Sequence, residues 1–198
     1  SAVRDTYGKM FLTLWNCYKF HTDYAALDDF DSEASDCPVA GRPSLDRWII
    51  SKLNSVAADY HAQFEGWDFH KACRDLEDFI VNDLSNWYVR RSRRRFWKSE
   101  NDQDKSSAYA TLYQCLVTLA KLMSPFTPFL AEAIYRNLVV SVSNDAPESV
   151  HLADWPVANK SAIDRELSEA TRLVMQVASL GRAARQKAIA LLAILLGH

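Results

Sequence analysis

The sequence predicts an all-α protein built as a bundle of about six helices. Apolar residues recur at steps of three and four along nearly all of the 198 residues, which is the spacing of one helix face. Only 5 glycines and 6 prolines interrupt this pattern, fewer than a β fold with many turns would contain. The segments between the periodic stretches are short, as they are in helical bundles. We find no internal repeat of solenoid length.

The first helix is predicted from an apolar stripe at the start of the chain. Tyr7, Met10, Leu14 and Tyr18 follow one another at helical spacing, and the pattern is expected to end near His21. The segment that follows is acidic and contains proline and glycine, so it is predicted to be a loop.

The second and third helices are marked by signals at their ends. Ser44 is expected to cap the second helix, and Gly66 is expected to end it. Asp68 is expected to cap the third helix. The apolar stripe of this third helix leads without a break into the stretch "NWYVRRSRRRFW" at residues 86–97.

The last three helices are predicted from periodicity and from the breaks in it. Residues 99–106 are polar and are expected to form a loop before a fourth helix over residues 109–123. Pro128 suits the first position of a fifth helix. Residues 141–156 are expected to be irregular, with room for a short extended piece at "VHLADW". A capping-box pattern that begins at Ser161 predicts a long sixth helix.

The sequence lacks the motifs of nucleotide-binding and hydrolytic enzymes. It contains no G-x-G-x-x-G, no G-x-x-x-x-G-K-S/T and no G-x-S-x-G. One E-x-x-H pair, Glu148 and His151, falls in a predicted loop, whereas a di-metal bundle needs two such pairs on facing helices. We therefore expect no catalytic residue and no metal site in this chain.

The cysteines and the hydropathy indicate a cytoplasmic protein. The 4 cysteines lie far apart in sequence, which favours reduced thiols over a disulfide framework. The longest apolar run, residues 188–196, is far shorter than the roughly 20 residues that span a bilayer. The chain begins without methionine and opens directly into a helical pattern, so we interpret it as part of a longer protein.

Charge is distributed unevenly along the chain, although the formal net charge is only −2. Residues 23–36 contain six acids and no base, whereas residues 90–98 contain six bases and no acid. Five arginines in six consecutive positions would repel one another unless an anion compensates them. Arginine pairs with phosphate in a bidentate manner, and the interleaved aromatic rings offer surfaces on which unstacked bases can lie.

This pattern favours binding to an RNA or DNA backbone, and a structural network of ion pairs is the alternative. Residues three and four apart share a helix face, so one flank would carry Asn86, Arg90, Arg93 and Trp97. The adjoining flank would carry the following residues: Trp87, Arg91, Arg94, Arg95 and Lys98. Membrane binding fits less well, because the core already uses the apolar face that an interfacial helix needs.

Each of these residues is given an expected role. The cations of residues 90–98 are assigned mainly to phosphate, with at least one arginine pairing instead with an acid of a neighbouring helix. Trp87 is expected in the core, and Trp97 is the candidate for stacking on a base. Asn86 is expected to bond either a base or a neighbouring helix. A second, weaker basic cluster is expected to flank the same groove: Arg182, Arg185 and Lys187.

Five motifs resemble the anticodon-binding region of the isoleucyl-tRNA synthetase family, in the same order along the chain. The motifs are "LDRWIISKLN" at residues 45–54, "DLSNWYVRRSRRRFW" at 83–97, "SPFTPFLAEAIYRNL" at 124–138, "SVHLADWP" at 149–156 and "SLGRAARQKA" at 179–188. Together they extend over most of the chain. The first motif is shared with the valyl and, more weakly, the leucyl families.

The resemblance implies one helical domain over residues 1–198 that binds the anticodon stem and loop of isoleucine tRNA, in an enzyme that is a monomer. It also implies a parent enzyme whose catalytic domain activates isoleucine with ATP and magnesium and transfers it to that tRNA. The HIGH-type and KMSKS-type catalytic signatures and the editing domain of the family are absent from this sequence. The chain alone is therefore expected to be inactive.

The sequence departs from the family pattern at its end. The family continues with a basic and polar segment, whereas the tail at residues 189–198 begins with an aliphatic run and is interpreted as altered. We therefore assign no RNA contact beyond Lys187. Two alternatives stay open for the whole chain: the same module of a valyl or leucyl enzyme, and a helical scaffold that docks an acidic protein.

Overall fold

The computed structural model describes residues 7–30, 37–97 and 102–195. No β-strand occurs in these residues, and apart from two short 3₁₀ helices, Val39–Gly41 and Lys160–Ala162, they form six continuous helices. Their bounds are α1 at residues 7–27 (Tyr7–Phe11 and Leu12–Leu27), α2 at Ser44–Glu65, α3 at residues 69–97 (Phe69–Asp78, Phe79–Val89 and Arg90–Trp97), α4 at Gln103–Met123, α5 at residues 128–140 (Pro128–Tyr135 and Arg136–Val140) and α6 at Arg165–Leu195. The predicted fold class is confirmed.

Some helix ends follow the signals in the sequence. Gly66 is the C-cap of α2, and its N–H donates to the Ala62 carbonyl at 3.0 Å. Asp68 caps α3, because its carboxylate accepts from the Lys71 N–H at 3.2 Å. Pro128 begins α5 as predicted. The third helix also runs without a break through the arginines to Trp97.

Other helix ends differ from the prediction. α1 continues past His21 to Leu27, because its packing against α3 extends beyond His21: the Tyr24 ring lies 6.4 Å from that of Phe96. Ser44 is not a cap but the first helical residue, since Pro43 is extended and its carbonyl accepts the first backbone bonds of α2. α4 begins at Gln103, earlier than expected.

The capping-box and extended-piece predictions are also corrected. Asp164, not Ser161, caps α6, because the Asp164 carboxylate accepts from the Leu167 N–H at 2.9 Å. In the described residues, "VHLADW" forms turns rather than a strand. The Glu132 carboxylate accepts from the Val150 N–H at 2.9 Å and so holds this segment against α5. Trp155 places its ring 5.8 Å from that of Tyr60.

The core of the bundle lies around α4, which packs against α1, α2, α3 and α5. Aromatic rings fill much of it, and Trp48, Tyr60, Tyr88 and Tyr109 are almost completely buried. A second group of rings lies where the end of α2, the start of α3 and the junction of α4 and α5 meet. Its Phe64 and Phe69 rings are 4.9 Å apart. Large buried rings fix the positions of neighbouring helices through their packing.

The chain divides into two compact units, Ser1–Ile163 and Asp164–His198. The first unit contains α1 to α5. The second contains α6, on which the following apolar side chains are exposed: Leu173, Val174, Val177, Leu180 and Ile189. A single domain over residues 1–198 stays a prediction. None of the described helices combines the length and the hydropathy that crossing a bilayer requires.

Candidate nucleic-acid interface

A row of exposed side chains follows the last turns of α3. Asn86, Arg90, Arg93 and Trp97 are part of it, and Trp97 is exposed over 57% of its surface. At 1.5 Å per residue the row is about 16 Å long. Arg94 is exposed beside it. The structure thus brings together the flank that helical spacing predicted, and we call these five residues the α3 row.

The arginines of the α3 row have no counter-ion among the side chains that the structure describes. Among the residues that the structure describes, Arg90, Arg93 and Arg94 take part in no ion pair. Asn86 likewise makes no hydrogen bond to another helix in that part of the chain. Cations at a helix C-terminus complement the helix dipole, but this effect does not cancel their mutual repulsion. A bound external anion would offset this repulsion.

Arg91 lies over the ring of Trp87, with its guanidinium carbon 3.0 Å from the ring centroid. Trp87 is only 6% exposed, so its predicted place in the core is confirmed. Arg91 itself is exposed. Stacking of a guanidinium on an indole is favourable and restricts the side chain. Arg91 is therefore held at the edge of the α3 row.

Arg95 faces a different environment from the other arginines. Its Nη1 and Nη2 donate to the two carboxylate oxygens of Asp46 at 2.7 and 2.6 Å. Its Nε lies 2.9 Å from the Asp104 carboxylate, and its side chain is only 12% exposed. The prediction that one arginine pairs with an acid of a neighbouring helix is confirmed. The assignment of Arg95 to phosphate is corrected, because both of its Nη atoms donate to acceptors within the protein.

The Asp46 carboxylate is fully buried and accepts a third hydrogen bond. The Tyr88 hydroxyl donates to its Oδ1 at 2.7 Å. Burial raises the pKa of Tyr88 well above its usual value, and the nearby Asp46 charge raises it further. The phenol therefore stays protonated and remains a donor. We call Asp46, Tyr88, Arg95 and Asp104 the Asp46 network.

Sequence reasoning missed this network as part of the site. The sequence marks Asp46 only as an acid near the start of a helix, and it lies 49 positions before Arg95. Nothing in helical spacing connects residues of two different helices. The sequence did contain one indication of the network. So dense a run of arginines suggested that one of them would pair with an acid inside the protein.

The other predicted site residues lie elsewhere. Lys98 falls outside the described residues. The second basic cluster, Arg182, Arg185 and Lys187, is exposed on α6 in the second unit. Its place beside the same groove stays a prediction. Glu148 and His151 are exposed in the turns before α6, and no three metal-ligating side chains converge anywhere in the described ranges.

A family model described as "Anticodon-binding domain of tRNA ligase" matches residues 46–191. The chain belongs to this family. An anticodon-binding domain binds tRNA as part of a ligase, and its match to this chain includes the α3 row, the Asp46 network and the second basic cluster. Membership of this family implies an anionic partner, tRNA, for the domain as a whole.

Several relatives of this anticodon-binding domain are isoleucine–tRNA ligases. The chain is 56% identical over 187 residues to that of Dehalococcoides mccartyi strain CBDB1 and 48% identical over 187 residues to that of Thermus thermophilus. It is 44% identical over 186 residues to that of Clostridium acetobutylicum. Each match covers 94% of this chain and 18% of the relative. The chain thus spans about a fifth of the length of these proteins.

Proposed function

We propose that this anticodon-binding domain serves an isoleucine–tRNA ligase and holds the anticodon stem and loop of isoleucine tRNA. The observation that carries the proposal is the high identity, over almost the whole chain, to relatives that all bear that name. The α3 row adds a physical reason, since it presents exposed guanidinium groups, with no ion pair in the described part of the chain, next to an exposed indole.

Some residues of the α3 row would bind phosphates and others would contact bases. Arg90, Arg93 and Arg94 would bind phosphates and so set the position of the RNA. Arg91, oriented by Trp87, would bind a further phosphate at the edge. Single-stranded anticodon bases can be splayed out and stacked, which suits the indole of Trp97.

Asn86 would supply an edge-specific contact in this arrangement. Its side-chain amide offers both donors and an acceptor, so it can hydrogen-bond the edge of an unstacked base. Asn86 lies one turn before Arg90 on the same exposed face. A base held by Asn86 would therefore lie next to a phosphate held by Arg90.

The reaction itself belongs to the whole ligase in this proposal. The ligase would activate isoleucine with ATP and magnesium and transfer it to the tRNA, working as a cytoplasmic monomer. The residues of this chain would bind and orient the tRNA without touching the reacting atoms. Their contribution would therefore appear as affinity for the tRNA rather than as chemistry.

Binding of tRNA transcripts tests the proposal. We expect the chain to bind an isoleucine tRNA transcript more tightly than a valine tRNA transcript in fluorescence anisotropy. Replacing Arg90 and Arg93 together by glutamine should weaken binding by about tenfold or more. It should also reduce the slope of log K against log salt by about 1 for each phosphate that the variant no longer binds. Arg74→Gln, roughly 4 turns earlier on the same helix, is the matched control.

Two outcomes would contradict the proposal. If the Arg90 and Arg93 double variant binds isoleucine tRNA as tightly as the unchanged chain, the α3 row is not the binding face. If valine tRNA binds equally well, the domain belongs to a ligase of another specificity. Competition between bulk tRNA and an acidic protein checks the scaffold alternative, because only a tRNA-binding face prefers the RNA at equal charge.

A further inference from the structure

The Asp46 network lies directly behind the α3 row, on the opposite face of the same helical turns. We propose that Arg95 is a positioning residue for tRNA binding: its ion pair with Asp46 holds the end of α3 so that the exposed arginines form one face. This inference rests on the proposed function of the α3 row. It assigns a role in RNA binding to both residues of the ion pair, although Asp46 is fully buried and cannot touch the RNA.

The hydrogen bonds of Arg95 join three helices. Its two Nη atoms bind Asp46, in the first turn of α2, and its Nη2 also donates to the Asp104 carbonyl at 2.8 Å. Asp104 lies in the first turn of α4. One guanidinium on α3 therefore fixes the starts of both neighbouring helices. A planar fork with this many engaged donors leaves the side chain little freedom.

Packing holds the same face of α3 on either side of Arg95. Tyr88, two turns earlier, donates to Asp46 and is fully buried. Phe96 is 2% exposed and packs its ring 4.7 Å from Tyr109 and 4.9 Å from Phe20. Because a helix is a rigid element, fixing its inward face also fixes the direction of its outward face. The outward face here is the α3 row.

Lysine distinguishes a positioning arginine from one that binds phosphate. Lysine keeps the charge and still binds phosphate as a point charge, but it cannot form a bidentate fork. We therefore expect Arg93→Lys to change the affinity for isoleucine tRNA by less than about twofold. We expect Arg95→Lys to weaken it by about tenfold, because the lysine cannot bind both oxygens of Asp46.

Asp46→Asn gives a second, independent test, because the two possible roles of Arg95 predict opposite changes in the affinity for tRNA. If Arg95 were a further phosphate ligand restrained by Asp46, releasing it would strengthen tRNA binding. If Arg95 positions the α3 row, releasing it lets the end of α3 move, and binding weakens by about as much as in Arg95→Lys. Tyr88→Phe keeps the buried ring and removes only one donor to Asp46, so it should give a smaller loss of affinity and still fold.

The measurement is the affinity for an isoleucine tRNA transcript per folded molecule of the chain, with the folded fraction taken from circular dichroism. If Arg95→Lys and Asp46→Asn bind as tightly as the unchanged chain at equal folded fraction, the network only stabilises the fold and the inference is wrong. Tighter binding by Asp46→Asn would also overturn it. If the unchanged chain does not bind the transcript, or if Arg90 and Arg93 can be replaced by glutamine without effect, the proposed function itself fails.

Discussion

His21 is a buried histidine that makes the stability of the bundle depend on pH. It is 3% exposed and surrounded by aromatic rings, with that of Tyr109 at 5.9 Å and that of Tyr113 at 6.1 Å. Burial lowers the pKa of His21 from 6.5 to about 4. In the unfolded chain the same ring would take up a proton near its usual pKa.

We predict that the free energy of unfolding falls as the pH drops from about 6.5 towards about 4. In this window the unfolded chain binds a proton that the folded chain excludes, so acid favours unfolding. The contribution of His21 is intact above the upper pKa, and its loss is limited to about 3 kcal/mol. Urea unfolding across this range measures it. His21→Leu should show a shallower pH dependence, and an unchanged one would contradict the assignment.

Trp67 is strained and exposed at the end of α2. Its φ is 60°, in the left-handed region that disfavours side chains, and 80% of its surface is exposed. The position completes the helix end, since the Trp67 N–H donates to the Phe64 carbonyl and the Asp68 N–H to the Gln63 carbonyl. Glycine commonly fills such a position.

We predict that Trp67→Gly is more stable than Trp67→Ala by up to about 1 kcal/mol. Both variants remove the indole and its packing against Phe69, so their difference isolates the backbone strain. Guanidinium unfolding of the two variants provides the measurement. If the alanine variant were the more stable one, the left-handed conformation at this position would be refuted.

At the scale of the helices, the sequence predicted the existence of each helix better than the positions of its ends. The apolar stripes predicted six helices, because the spacing of buried residues is a property of each helix alone. The end of α1 and the start of α4 were misplaced, since they depend on packing between helices. His21 packs near Tyr109 of α4, and the Lys105 ammonium near the start of α4 lies 2.7 Å from Asp28 just beyond α1.

The same distinction explains which parts of the site were predictable. The exposed face of α3 follows from spacing within one helix, so Asn86, Arg90, Arg93 and Trp97 were grouped correctly. The partner of Arg95 could not be named, because Asp46 lies on α2 and the sequence holds many other acids. The Asp46 network is therefore a product of the tertiary fold.

We predict that the ion pair between Arg95 and Asp46 couples α3 to α2 energetically. Arg95→Met leaves a buried carboxylate without its counter-charge and should cost about 3 kcal/mol of stability or more. The double variant Arg95→Met with Asp46→Leu should be destabilised by less than the sum of the single changes, because it removes both charges. Urea unfolding of all four proteins measures the coupling. Strictly additive effects would show that the pair contributes no coupling.

At the scale of the whole molecule, the buried core and the second basic cluster lie in different parts of the sequence. All the apolar residues described as buried lie between Met10 and Val150, within the first unit. The second basic cluster lies on α6, where Arg182, Arg185 and Lys187 are exposed. Stability and this second cluster should therefore be separable by truncation.

We predict that a chain ending at Ile163 keeps the unfolding midpoint of the full chain nearly unchanged, since its buried core is intact. If the second basic cluster binds the tRNA, truncation should weaken binding to an isoleucine tRNA transcript and reduce its salt slope by about 1 for each phosphate released. The full chain with Arg182, Arg185 and Lys187 replaced by glutamine is the matched control and should be weakened as much. A truncated chain that unfolds much more readily would place part of the stabilising packing in α6, and unchanged affinity in both variants would confine RNA binding to the α3 row.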